Sequence, residues 1–126
     1  KLQGEVKYHT FHADTWMKSL LQGSEESRLR MISAIKEVWP LALGMFEPGN
    51  FEAELIEAGI FGGEAELQQR WLDKVVPLLE SFGYLVPKVE STEPALGGRH
   101  GVHTSHLQPL LDEMTEVFSI DPGADW

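Results

Sequence analysis

The sequence predicts an all-α protein, a helical bundle that forms a single domain over residues 1–126. Three observations support this fold class. Apolar residues recur at three- and four-residue spacing in several long segments, as expected for helices with one buried face. Glycine and proline residues separate these segments. No segment alternates apolar and polar residues in the way a half-buried strand does.

The first helix is expected from about Leu2 to Gln22, with apolar and aromatic residues around much of its circumference. Such a helix is expected to lie centrally in a bundle rather than at its edge. No capping residue precedes it, and the chain begins with Lys1 rather than Met. We therefore expect the chain to be the C-terminal part of a longer protein; trimming for expression is the alternative.

The second helix is expected to begin after Ser24, because a serine side chain can cap a helix N-terminus. Glu25 and Glu26 follow in the first turn, where the helix dipole favours negative charge. The apolar face of this helix continues to Phe46. Pro40 lies within it and predicts a kink, because proline removes one backbone hydrogen bond.

Two further helices are expected before a long loop. Asn50 is expected to cap a short helix that ends near Ala58, where Gly59 suits a left-handed terminator. An apolar stripe then predicts a helix over residues 64–82. The glycines and prolines of residues 83–103 predict a loop that is unusually long for a compact domain.

The last helix is expected to start at Thr104 or Ser105 and to continue as one helix through Phe118. Its apolar face contains several leucines, and Pro109 falls near its first turn, where proline is tolerated. The tail, residues 121–126, is expected to be irregular.

Composition excludes several classes of function. The chain has no cysteine, which excludes disulfides, iron–sulfur clusters, thiolate zinc sites and a cysteine nucleophile. Its formal net charge of −10 repels nucleic acids and anionic membrane surfaces. No apolar run approaches the roughly 20 residues of a membrane span, and no signal-peptide core is visible. We expect a soluble cytoplasmic protein that binds neither nucleic acid nor membrane.

Glu5, His9 and His12 form the first candidate site, because spacings of four and three place them close together on one helix. Carboxylate and imidazole groups facing into a bundle can hold iron or manganese. The di-iron pattern requires two Glu-x-x-His motifs, and this chain contains none. The alternative is that His9 is a core histidine with a hydrogen-bonded partner.

His100, His103 and His106 cluster before the last helix and form the second candidate site. Three imidazoles can bind zinc, but a His-x-x-His pair alone is a weak signal. The alternative is that these histidines order the loop and cap the helix.

Gly97-Gly98-Arg99-His100-Gly101 resembles an anion-binding loop. A glycine-rich backbone, one guanidinium and a following helix N-terminus can bind a phosphate. The loop has neither the Walker lysine nor a preceding strand. A tight turn that leads into the last helix is the alternative, and Arg99 is equally suited to pair with a carboxylate of another subunit.

Trp126 at the end of the chain is the remaining candidate for an interaction, because aromatic side chains dominate many interfaces. The alternative is an exposed residue with no role. No hydrolase or kinase motif is visible in the sequence.

Several stretches of the sequence carry a family resemblance. They are Glu5-Val6-Lys7-Tyr8-His9 with His12-Ala13-Asp14-Thr15-Trp16, Val38-Trp39-Pro40-Leu41 with Met45-Phe46-Glu47, Gly98-Arg99-His100-Gly101-Val102-His103-Thr104-Ser105-His106-Leu107 with Leu111-Asp112-Glu113-Met114, and the closing Asp121-Pro122-Gly123-Ala124-Asp125-Trp126. Together they resemble the PaaC family, the smaller ferritin-like subunit of the bacterial phenylacetyl-CoA epoxidase. The resemblance covers nearly the whole chain, and the stretch that starts at Gly98 is its most specific part.

The resemblance implies a structural subunit of a multicomponent monooxygenase. In this family the di-iron site belongs to a sister subunit, PaaA, which epoxidises the ring of phenylacetyl-CoA. A reductase with flavin and an iron–sulfur cluster supplies electrons from NADPH. The complete protein would have about twice this length and a ferritin-like fold, of which this chain would be the C-terminal half.

Three functions remain open at this point. The first is a non-catalytic subunit that carries no cofactor, binds a PaaA-like partner and takes part in phenylacetate catabolism. The second is a metal-binding oxidase or oxygenase that uses Glu5 and His9. The third is a small interaction module with no connection to phenylacetate, which is supported only by the acidic surface and Trp126. Half of a bundle would leave an apolar face on the first helix uncovered, and we therefore also expect self-association as a homodimer.

Overall fold

The computed structural model describes residues 2–87 and 91–125. These residues form six α-helices and no strand, so the all-α prediction is confirmed and is consistent with a ferritin-like helical bundle. The helices are α1 (Leu2–Leu21), α2 (Glu25–Gly44), α3 (Glu52–Glu57), α4 (Glu64–Ser81), α5 (Leu107–Met114) and α6 (Glu116–Ile120). None of the helices in this part of the chain is long and apolar enough to cross a membrane.

The predicted cap between the first two helices is confirmed. The hydroxyl of Ser24 accepts the backbone N–H of Ser27 at 3.2 Å, and Glu25 and Glu26 occupy the first turn of α2. The hydroxyl of Ser27 in turn donates to the carbonyl of Leu20 at 2.9 Å. These bonds bring the end of α1 beside the start of α2.

The core lies where the end of α1, the middle of α2 and the end of α4 meet. Its buried members are Leu21, Ile35, Trp39, Leu43, Leu79 and Tyr84. The ring of Trp71 on α4 packs against Trp39 at a centroid distance of 5.4 Å and against Phe46 at 5.6 Å. Burial of these large side chains supplies most of the favourable free energy for this helix packing.

The expectation that the first helix lies centrally is wrong for the described chain. Leu21 is the buried residue of α1, while Tyr8, Phe11 and Trp16 are exposed. The periodicity of α1 correctly predicted a helix, but within this chain α1 packs on α2 through its C-terminal part. A long apolar surface of α1 therefore remains open.

The remaining boundaries differ from the predictions at three places. α3 begins at Glu52 after Phe51 rather than after an Asn50 cap, although Gly59 adopts the expected left-handed conformation at φ +67°. The last helix begins at Leu107 rather than after Thr104 or Ser105. It is also interrupted at Thr115, where the backbone has φ of −103° and ψ of 5° and separates α5 from α6.

Candidate functional site

The glycine loop at residues 97–101 is a tight turn with a defined geometry. Gly97 and Gly101 have φ of +105° and +83°, and they flank a 3₁₀ turn at Gly98–His100. The carbonyl of Gly97 accepts the N–H groups of His100 and Val102, each at 2.9 Å. A left-handed backbone favours glycine, and a Cβ at Gly97 would lie 2.9 Å from Cβ of Val102. The two glycines are therefore required by the turn itself.

The loop binds an anion, and that anion is the protein's own Glu47. Oε1 of Glu47 accepts the N–H of Gly97 at 2.7 Å, and Oε2 accepts the N–H of Arg99 at 3.1 Å. Nε2 of His100 lies 3.8 Å from Oε1. Glu47 is only 6% exposed, just after the end of α2, so its carboxylate is held inside the loop rather than offered to solvent.

The surroundings of Glu47 favour its charged form. The hydrogen bond from the N–H of Arg99 has the largest effect and lowers the pKa of Glu47, and the bond from Gly97 acts in the same direction. The nearby positive charges of His100 and Arg99 lower this pKa further, while burial opposes the shift. The net effect is a carboxylate whose pKa lies below its ordinary value of 4.5.

Arg99 links the loop to α4. Its Nη2 lies 2.6 Å from Oε1 of Glu64 and donates to the carbonyl of Met45 at 3.2 Å. Glu64 is 7% exposed, and its own N–H donates to Oε1 of Glu52 at 2.8 Å. The guanidinium thus pairs with a carboxylate of the same chain. The loop, the end of α2 and the starts of α3 and α4 form one network.

Sequence reasoning missed Glu47 and Glu64 as members of this site. Glu47 enters the sequence analysis only within the stretch Met45-Phe46-Glu47, and Glu64 only as the first residue of a predicted helix. Their contacts with the loop join positions far apart in the chain, and no local pattern encodes such a contact. The resemblance to an anion-binding loop was the available signal, but it indicated an external phosphate rather than an internal carboxylate.

His103 and His106 line an open groove of about 670 Å³ beside the loop. Apolar residues from the end of α2, among them Leu41 and Met45, face Leu107 and Leu110 of α5 across this groove. His100, His103 and His106 are all exposed. Within residues 2–87 and 91–125, no three histidine, aspartate or glutamate side chains are grouped as metal ligands.

Glu5, His9 and His12 lie along α1 and are exposed. The ring of Tyr8 lies 6.1 Å from that of His9 and 6.0 Å from that of His12, measured between centroids. The alternative interpretation of His9 as a core histidine is wrong here, because no described part of the chain buries that stretch of α1. The last candidate, Trp126, lies outside the described residues.

The chain is similar to known proteins over its whole length. A profile of the family described as "Phenylacetic acid catabolic protein" (PaaA_PaaC) matches residues 1–126. The chain is also 29% identical over 122 residues to a protein of Escherichia coli (strain K12) that is named as a subunit of 1,2-phenylacetyl-CoA epoxidase. This alignment covers 97% of the chain and 48% of the relative. The chain thus spans about half the length of the curated relative that it matches.

Proposed function

The chain belongs to the phenylacetic acid catabolic protein family, and we propose that it serves as a non-catalytic structural subunit of a bacterial phenylacetyl-CoA epoxidase. In this role it supports a PaaA-like di-iron subunit during aerobic phenylacetate degradation in the cytoplasm. The similarity to the epoxidase protein of Escherichia coli supports this proposal.

The observation that carries the structural role is the internal pairing of the charged groups at the glycine loop. The carboxylate of Glu47 binds two backbone N–H groups, and the guanidinium of Arg99 binds Glu64. Groups held in this way order the backbone, and they are not positioned as nucleophile, base or metal ligand for a substrate. The start of the most specific stretch of the family resemblance therefore attaches the C-terminal part of the chain to the end of α2 and the start of α4.

The exposed aromatic face of α1 is the surface we assign to association. Tyr8, Phe11 and Trp16 are 63%, 69% and 54% exposed. Aromatic side chains contribute disproportionately to the binding energy of interfaces. We propose that the PaaA-like partner binds this face, and that the iron, together with electron supply from an NADPH reductase with flavin and an iron–sulfur cluster, belongs to the other subunits.

Light scattering on a sizing column, with the full-length protein alone and mixed with its PaaA-like partner, tests this proposal. We expect a joint peak whose mass equals the sum of the two proteins. Two separate peaks would contradict it. A doubled mass without the partner would instead indicate a homodimer.

Metal analysis of the isolated full-length protein tests the alternative function, a metal-binding oxidase that uses Glu5 and His9. Under the proposed function the protein contains no stoichiometric iron or manganese. Stoichiometric metal that is lost on His9→Ala would favour the alternative.

A further inference from the structure

Residues 97–125, which we call the C-terminal arm, differ from the rest of the chain in how they are held. The arm comprises the glycine loop, α5 and α6, and neither of these helices contains a buried residue. Leu110, Met114 and Val117 are 52%, 72% and 63% exposed. Apolar burial therefore contributes little to the attachment of the arm, in contrast to the core around Trp39.

Polar contacts tie the first three residues of the arm to the helical core. The N–H groups of Gly97 and Arg99 donate to Glu47, and the guanidinium of Arg99 reaches Glu64 and the carbonyl of Met45. We call this set of contacts the Glu47 clasp. Beyond it, α5 faces α2 across the open groove of about 670 Å³ rather than in close packing.

Glu47 occupies the central position in the clasp, because both of its oxygens are bound to the arm. A buried carboxylate that accepts two N–H groups is a strong, charge-assisted contact. When it is removed, the partly buried N–H groups of Gly97 and Arg99 lose their acceptors, and donors without a partner are costly. Exposing them to water by moving the arm relieves that cost. None of the buried residues of the core around Trp39 takes part in these bonds.

We propose that the C-terminal arm detaches from α2 when the contacts of the Glu47 clasp break, and reattaches when they form. With the clasp closed, the arm lies beside α2 and forms one wall of the groove. With the clasp open, residues 97–125 swing away as a unit while α1, α2 and α4 stay folded. Opening separates His103, His106 and the apolar side of α5 from α2, and exposes Leu41 and Met45 fully. This inference rests on the geometry of the clasp and is independent of the proposed function.

Hydrogen exchange measured by mass spectrometry on the full-length protein tests whether the arm detaches in this way. The comparison uses wild type, Glu47→Ala and the control Glu57→Ala, which removes an exposed carboxylate of α3. In Glu47→Ala we expect amides of the 97–114 region to exchange about tenfold faster, with unchanged protection in α2. The control should match wild type in both regions. Equal exchange of the arm in wild type and Glu47→Ala would overturn the proposal.

Native-state exchange of the wild-type protein in low denaturant provides a second test that does not depend on the folding of a variant. We expect the arm to open in a separate step, at a lower free energy than the core around Trp39. If arm and core lose protection in a single cooperative step, the arm is not an independent unit and the proposal fails.

Discussion

The guanidinium of Arg99 lies 2.6 Å from the carboxylate of Glu64, joining the glycine loop to the first turn of α4. The two side chains differ in exposure: that of Glu64 is 9% exposed and that of Arg99 is 43% exposed. The guanidinium of Arg99 therefore lies on the solvent-exposed side of Glu64 and neutralises its nearly buried carboxylate. Loss of Arg99 would leave Glu64 without this partner in a place where water only partly replaces it.

Arg99→Ala is expected to destabilise the full-length protein by about 1–2 kcal/mol, since Glu64 loses its partner and the carbonyl of Met45 loses a donor. The measurement is the free energy of unfolding from urea denaturation. Arg70→Ala is the matched control, because Arg70 pairs with Glu66 at 3.8 Å on the surface of α4. Its effect should stay within about 0.5 kcal/mol. Equal effects of the two substitutions would show that Arg99 adds nothing beyond a surface charge.

Gly44→Ala is expected to push the backbone at Ala95 away from the end of α2. A Cβ at Gly44 would collide with the backbone carbonyl of Ala95, whose N–H donates to the carbonyl of Pro40 at 3.0 Å. We expect a loss of about 1–3 kcal/mol in the free energy of unfolding, the usual cost of overpacking. Gly4→Ala is the control, because a Cβ there has open space within an exposed part of α1. It should raise stability by up to about 1 kcal/mol. A stabilising Gly44→Ala would argue against the close approach of Ala95.

The stability of the clasp is expected to fall at acidic pH. The folded pKa of Glu47 is depressed, chiefly by the hydrogen bond from the N–H of Arg99. A depressed carboxyl pKa stabilises the folded state above the unfolded value of 4.5, and this contribution is lost as the pH falls through the folded pKa. The other charged groups facing this site are Arg99 itself, His100 and, across the guanidinium, Glu64.

A carbon-13 titration of the Glu47 carboxyl measures this effect directly. We expect its midpoint below 4.5, the ordinary value for this side chain. Glu47→Gln should also flatten the dependence of unfolding free energy on pH below about 4.5. A Glu47 midpoint at or above 4.5 would mean that burial outweighs the hydrogen bonds of the loop.

Local features of this fold were predictable from the sequence, and long-range contacts were not. The Ser24 cap and the spans of α1, α2 and α4 follow from residue spacing, because helix periodicity and capping act over a few neighbouring residues. The break at Thr115 was not predicted, and its hydroxyl bond does not mark it, because Thr10 and Thr15 make the same bond within the continuous helix α1. The exposure of α1 depends on what packs against it, and apolar periodicity alone cannot distinguish a covered face from an open one.

The candidate site shows the same division. The glycine positions indicated a turn with affinity for an anion, and the geometry agrees with that chemistry. The sequence does not reveal that the bound anion is Glu47. The end of α2 brings Glu47 to the loop, although the two lie about 50 residues apart in the chain. Arg99 was correctly suspected of pairing with a carboxylate, but its partner Glu64 lies in the same chain.

His9→Ala is expected to change the free energy of unfolding by no more than about 0.5 kcal/mol, because His9 is exposed on α1. A core histidine would instead cost substantially more when truncated. Urea denaturation of the full-length protein, alone and then with its partner bound, measures this. A large loss in the protein alone would mean that parts of the full-length protein beyond this chain cover His9.

Phe11→Glu is expected to weaken association with the PaaA-like partner by roughly tenfold or more, because a charge replaces an aromatic side chain at the proposed contact face. Phe11 is 69% exposed, so the folding of this chain should hardly change. Binding measured by titration calorimetry and folding followed by circular dichroism separate the two effects. Ile60→Glu is the control, because Ile60 is 75% exposed and lies in the turn after α3, outside α1. If Phe11→Glu leaves the dissociation constant unchanged, as the control should, the partner does not use the face of α1.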